Sequence, residues 1–308
     1  MRNKTFKSAI SHDKASNRVY LMNLDPEDFP EIISYIEDLA NVNQYSKLFA
    51  KVPAKYGPTF LAAGYVNEAS IPGFYNNQED ALFLVKYKYE ERSFPESAAL
   101  ISLQKLLLKP ANHEKYELEE CYTIRLLTEI DTPMMIPIFK EVFETYPFPI
   151  YDPSFLIESM LEYGTRYFGT FYDKKLIAIC TAECNDSNKN AEMTDFAVLQ
   201  AHRGKRLSTH LLSFMEKNLA KDGFKTLYTI ARLRSLPMNK TFYNNGYKYA
   251  GTLTRNTQIS GKIESMNVWY KKVNPIQSMV QSNSCFFFSF IHFKCFKSGY
   301  HIKQFFIN

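Results

Sequence analysis

Residues 195–212 read DFAVLQAHRGKRLSTHLL, and here Arg203, Lys205 and Arg206 surround Gly204 just before an amphipathic run. Cations at such a place bind anions. The first turn of a helix has unpaired N–H groups and a partial positive charge, and the side chains add to both. Each charge-assisted hydrogen bond contributes roughly 1.5–3 kcal/mol, so a few on a diphosphate supply much of the ~8 kcal/mol of a micromolar ligand. The alternative for this stretch alone is a surface turn with solvated Arg and Lys.

The elements that position the turn follow from its flanks. Phe196, Ala197 and Val198 are strand-compatible, whereas Leu207, Leu211, Leu212 and Met215 recur at helical spacing, so a strand hands over to a helix starting near Arg206. The 308-residue chain has room for one large or two ordinary domains, and its 45% hydrophobic and 15% aromatic content suffices for a packed core. A net charge of +5 is mildly basic, with Lys and Arg scattered among Asp and Glu, so no nucleic-acid partner is expected. Cys121, Cys180, Cys184, Cys285 and Cys295 form no C-x-x-C pair and no zinc-type spacing with His, which points to reduced thiols, no metal and a cytoplasmic location. The N-terminus lacks an apolar signal core and no run approaches the ~18–20 residues of a membrane span, so no membrane partner is expected either.

In chain order, residues 1–17 are polar and read as loosely held, 19–24 as a strand, and Asp25-Pro26-Glu27-Asp28 as the start of a helix running to about Val42. Residues 46–89 then parallel 224–273. Each has a short strand, a helix ending Phe-x-x-x-Gly-Tyr (60–65 and 242–247), and two strands joined by a polar turn. The other account of this repeat is a chance likeness, since Gly after a helix is common capping chemistry. A helix over 96–108 connects the copies. From residue 117 the expected order is strand 122–128, helices 133–145 and 153–163 about a turn at Pro147, Pro149 and Asp152, hairpin 165–182, strand 192–199, the helix to about Lys221, strand 226–231, helix 237–244 and hairpin 249–271.

The RGKRLS turn resembles the coenzyme A pyrophosphate loop of the GCN5-related N-acetyltransferases (GNAT), with Arg206 and Ser208 standing where that pattern has Gly and Gly/Ala. The element order over about 150 residues resembles the same family. The resemblance implies an α/β (α+β) fold with a mixed, mostly antiparallel twisted sheet flanked by helices, preceded by a degenerate half-copy. The expected division is 1–17, 18–116, 117–273 as the catalytic unit, and 274–308. It implies acetyl-CoA as cosubstrate, bound by Arg203, Gly204, Lys205, Arg206, Leu207 and Ser208, by the backbone of Phe196, Ala197 and Val198, and by Ser235. The first copy, lacking an RGK turn, should bind none. A base on the same strand would be Asp195 or Glu192, each of which has a salt-bridged surface role as its alternative. The family's usual tyrosine acid falls on Phe242. Tyr243, the neighbouring candidate, lies about 100° further round the helix.

The phrases GYVNEASIPGFYNNQEDALFLVKY and YTIARLRSLPMNKTFYNNGYKYAGTL, with ISGKIESMNVWYK, resemble the β-lysine N6-acetyltransferases across about residues 18–273. This implies acetylation of the distal amine of a small cationic amino acid, yielding a compatible solute. Its two ammonium groups and carboxylate should meet acidic residues and a cation, with Glu68, Asp80, Glu264 and Asn267 as the candidates. The competing readings are another small amine, a protein lysine, or a catalytically degenerate acyl-CoA-binding module. The sequence carries no signal for oligomeric state. Residues 274–308, rich in Phe, Ser and Lys without a period, stand outside the resemblance as an extension of unknown role.

Overall fold

In a computed structural model, residues 5–114, 116–144, 146, 148–259 and 261–274 are described. The 274–308 extension, bar its first residue, and Pro147, Cys285 and Cys295 therefore lie outside the described residues. The first half of the chain is β1 (Ala9–Asp13), β2 (Arg18–Asn23), α1 (Ile32–Val42), β3 (Lys47–Pro53), α2 (Gly57–Ala62), β4 (Val66–Tyr75) and β5 (Glu79–Tyr87). The connector α3 (Ser97–Leu107) leads to β6 (Tyr122–Leu126), α4 (Thr132–Val142), α5 (Pro153–Leu161), β7 (Thr165–Tyr172), β8 (Lys175–Asn185), β9 (Asn190–Val198) and α6 (Leu207–Lys221). The chain closes with β10 (Thr226–Arg232), α7 (Leu236–Asn244), β11 (Lys248–Ile259) and β12 (Lys262–Lys272).

All twelve strands form one sheet, ordered β1-β2-β3-β5-β4-β11-β12-β10-β9-β8-β7-β6. Only β2–β3 and β9–β10 pair in parallel. The order reads as a duplication about the middle, with β1-β2-β3-β5-β4 facing β8-β9-β10-β12-β11. The repeat is therefore longer than the sequence suggests, taking in β1, β2 and α1 as counterparts of β8, β9 and α6.

Side chains repeat with the strands. Phe60 and Tyr65 meet edge to face at 5.2 Å, Phe242 and Tyr247 at 5.1 Å. Lys86 pairs with Glu37 at 2.8 Å and donates to the Ala63 carbonyl, while Lys271 pairs with Glu216 at 2.7 Å and donates to the Asn245 carbonyl. Each lysine thus ties a helix end to a strand in its own half. The halves join where Ala69 of β4 pairs with Gly251 of β11. A Cβ on Gly251 would lie 1.9 Å from the Glu68 carbonyl oxygen, so only glycine allows the two backbones to approach this closely.

Apolar clusters cover both faces. Leu21 and Leu48 of the sheet cluster with Ile36 of α1 and Phe60 of α2, and Met193 and Trp269 with Leu211 of α6 and Phe242 of α7. On the other face, Phe49, Phe83, Tyr228 and Val268 bring the two halves of the curved sheet against each other, and Met135, Phe139 and Ile179 seat α4 and α5. Two boundaries differ from expectation. Residues 9–13 are ordered as β1, because the Asp28 carboxylate accepts from the N–H groups of Lys7 and Ser8 at 2.8 and 2.6 Å. The helix expected from Asp25 is instead a 3-10 turn at Pro26–Asp28 followed by α1, since Phe29 precedes Pro30 and is held extended.

Candidate active site

The basic turn sits where β9 gives way to α6. Gly204 has φ +82° with open space at its missing Cβ, and Arg206 is left-handed at φ 57°, ψ 24°. Arg206 thus adopts a left-handed conformation that glycine takes more readily, at a cost of about 1–2 kcal/mol. Its guanidinium lies 3.2 Å from the centre of the Tyr116 ring. Lys205 Nζ donates to the Tyr122 hydroxyl at 2.8 Å, and Arg203 Nε donates to the Val198 carbonyl at 3.1 Å, closing the turn onto β9. Among the described residues, the backbone N–H groups of Lys205, Arg206, Leu207 and Ser208 have no protein acceptor. The first that do are Thr209 and His210, both on the Arg206 carbonyl. Four converging donors with three cations suit a pyrophosphate.

Well upstream of the turn's anchor at Val198, β9 leaves its neighbour β10. It pairs with β10 only through Asn190, Ala191 and Glu192, opposite Thr226, Leu227 and Tyr228. Beyond Glu192 the strands part, and the edge of β9 carrying Phe196, Ala197 and Val198 faces the gap. A bulge marks the same place: Ile179 pairs with Ala197 and Thr181 with Thr194, leaving Asp195 and Phe196 opposite Cys180. Asp195 adopts φ 52° there. Phe196 turns to the helix face against Phe242 at 5.7 Å, while the Asp195 carboxylate accepts from the Tyr146 and Thr194 hydroxyls. Burial raises its pKa to about 7. Glu192 is also held above the ordinary range by burial, opposed by Lys51, the Tyr228 hydroxyl and the Ile230 N–H.

The structure does not gather the other expected site residues. Tyr243 donates its hydroxyl to the Lys109 carbonyl at 2.7 Å on the connector, so it is not presented to β9 as an acid. Ser235 occupies the position before α7 without a side-chain cap bond, its carbonyl accepting from Asn239. Glu68 accepts from Lys47, Tyr87 and the Thr254 N–H, and Glu264 holds Arg232 by two bonds of 2.8 Å. Asp80 accepts from the Gly73 N–H, bracing the bulge of its hairpin, and Asn267 is fully buried between Asn239 and Thr252. Each of these four is engaged by protein partners as a brace of the scaffold.

Three residues before the bulge, the side chains grouped about Glu192 come from both halves. Glu183 of β8 stands directly opposite Glu192, and Lys51 of β3 reaches across to the Tyr228 hydroxyl at 3.4 Å, over the rings of Phe74 and Tyr228. No local pattern marks Lys51 or Glu183, since their proximity depends on strand register and on sheet curvature. Among the described residues, no group of three or more His, Cys, Asp and Glu side chains could hold a metal, and no helix is long and apolar enough to cross a membrane.

Comparison with known proteins adds to this geometry. The model of the acetyltransferase (GNAT) family matches residues 129–247. The chain is 35% identical over 271 residues to a β-lysine N6-acetyltransferase of Methanococcus maripaludis, covering 86% of this chain and 96% of that one. It is 26% identical over 270 residues to the enzyme of that name from Methanosarcina mazei, covering 78% and 96%. With the N-acetyltransferase YodP of Bacillus subtilis the identity is 27% over 273 residues, covering 86% and 96%.

Proposed function

Because the chain belongs to the β-lysine N6-acetyltransferase family, within the GNAT acetyltransferases, we propose that it moves acetyl from acetyl-CoA to the distal amine of β-lysine in the cytoplasm, giving the compatible solute N6-acetyl-β-lysine. The observation that carries this reading is the meeting, along one strand, of an anion-binding turn, an open strand edge and a desolvated carboxylate. Acetyl-CoA supplies an activated thioester. The turn from Lys205 to Ser208 holds its pyrophosphate, and the free edge of β9 at Phe196–198 aligns the acyl arm. Asp195 accepts the proton that the amine gives up as its nitrogen bonds to the acyl carbon. The thiolate leaves with a proton from solvent, since Phe242 has none to offer. Residues 117–273 carry this chemistry and 18–116 shape the acceptor side.

An acetyl-CoA consumption assay across β-lysine, α-lysine, a polyamine and a lysine peptide tests the reading. β-Lysine should give the highest kcat/KM. Preference for the peptide would make the protein a protein-lysine acetyltransferase, and no turnover with any amine would leave a binding module.

The cofactor side has its own prediction. In the first half, the turn after β2 carries Asp25, Glu27 and Asp28 where the second has Arg203, Lys205 and Arg206. Carboxylates there repel a pyrophosphate, so calorimetry should count one coenzyme A per chain. Arg203→Glu should weaken it about 10-fold or more, by adding a repelling charge and losing the bond to the Val198 carbonyl. Two equivalent sites would mean that the first half also binds coenzyme A, and unchanged affinity in the variant would place the pyrophosphate site elsewhere.

A further inference from the structure

The cleft face of β8 and β9 holds an arrangement that folding alone would disfavour. Glu183 and Glu192 are paired residues of an antiparallel ladder, and like charges directly opposite one another destabilise a sheet. The enclosing cleft and repulsion from Glu192 hold Glu183 above the ordinary carboxylate range, opposed by Lys51, although the Glu183 side chain itself stays open to solvent. Next along the same face, Thr181 is 1% exposed and its hydroxyl has no hydrogen-bond partner among the described residues. Paired with Thr194, it lies between the two glutamates and the Asp195 bulge. A buried hydroxyl without a partner beside two carboxylates that make no salt bridge among the described residues marks a place completed by a polar ligand.

The first half closes this cleft with one cation. Lys47, Phe49 and Lys51 alternate onto the inner face of β3, and Lys47 is already committed to Glu68 and the Thr254 carbonyl. Lys51 has no carboxylate within 4 Å among the described residues; its ammonium has the Tyr228 hydroxyl and two aromatic faces. Tyr20 of β2 lies within electrostatic reach of Lys51, Glu192 and Glu183. From Asp195 to Glu192 the strand covers about 10 Å, comparable to an extended six-carbon diamino acid.

We infer that Lys51, delivered by the non-catalytic half, reads the carboxylate of the acceptor, while Glu183 and Glu192 hold the ammonium that is not acetylated. This rests on the acceptor reading above. It makes Lys51 a specificity residue that separates amino acids from simple diamines, since a diamine leaves the lysine ammonium facing a second cation's neighbour with no anion to meet.

The test compares β-lysine with 1,4-diaminopentane, the same molecule without its carboxyl group, on the full chain and its Lys51→Met and Lys51→Arg variants. Lys51→Met should raise KM for β-lysine about 10-fold or more with kcat largely kept, and leave KM for 1,4-diaminopentane within about twofold. Lys51→Arg should restore most of the preference. If the wild-type protein shows no preference for β-lysine, the acceptor reading itself fails and the inference with it. If it prefers β-lysine and Lys51→Met keeps that preference, or loses both amines equally, the Lys51 assignment alone is overturned. Should Lys51→Met not fold, by its circular dichroism, Lys51→Gln takes its place.

Discussion

Asp195→Asn is expected to lower turnover by ~10²-fold or more while binding coenzyme A as the wild type does. A protonated amine has no lone pair, and Asp195 is the desolvated carboxylate at the point where β9 leaves β10. Asparagine suits the test, because it tolerates the φ of 52° at the bulge and keeps an oxygen for Tyr146. With a pKa of about 7, the wild-type base is protonated in acid, so kcat/KM should rise with pH through about 7; the variant should lack that limb. The stability effect has the opposite sense. Asp195 titrates higher folded than at its ordinary 3.8, so its contribution is fully present below that value and is lost as pH rises through about 7. Above pH 7 the amide variant should therefore melt no lower than the wild type, despite being the poorer enzyme. Glu192→Gln is the companion. If it is inactive while Asp195→Asn is unaffected, the base is Glu192, and if both remain active, no carboxylate base operates.

Gly251→Ala should cost about 4 kcal/mol or more of stability, read as a fall in the urea midpoint. The added Cβ would meet the Glu68 oxygen at 1.9 Å and the Ala69 Cα at 2.8 Å, both backbone atoms that can move only by parting β4 from β11. Gly261→Ala is the control. Its φ of +77° is also unfavourable, but nothing lies within 4 Å of the new Cβ, so about 1 kcal/mol is expected. Equal losses in the two variants would mean that backbone conformation, rather than contact between the halves, sets the cost.

What the sequence made legible was local. The switch of period at residues 201–206 located α6 and its turn, and Phe-x-x-x-Gly-Tyr disclosed the duplicated strand–helix–hairpin because a capped helix end keeps its pattern within six residues. β1 escaped notice because AISHD is half polar, as suits a sheet edge held by Asp28 from 20 residues away. Arg206 departs from the loop pattern in residue type, and its left-handed backbone is one that no side-chain pattern along the sequence announces. The acceptor candidates Glu68, Asp80, Glu264 and Asn267 were chosen for type, and the structure uses each as a brace. Tyr146 reaches the bulge, and Glu183 and Lys51 reach the neighbouring Glu192, through register and curvature, which a reading along one strand does not contain.

Joining the halves through β4 and β11 also settles where the sheet can be attacked from outside. A lone half would offer one of these long strands, ten and twelve residues, as an uncovered template for any passing chain. Side by side they cover each other over their meeting point, and the sheet ends in β1 and β6, each five residues long. On β6 itself, Arg125 is tied to Asp131 at 2.7 Å, a charge at a border that has little ladder to give. The second half, separated from the first, would thus lose more than an acceptor wall: it would gain an adhesive edge, and its first failure in solution would be self-association rather than slow catalysis.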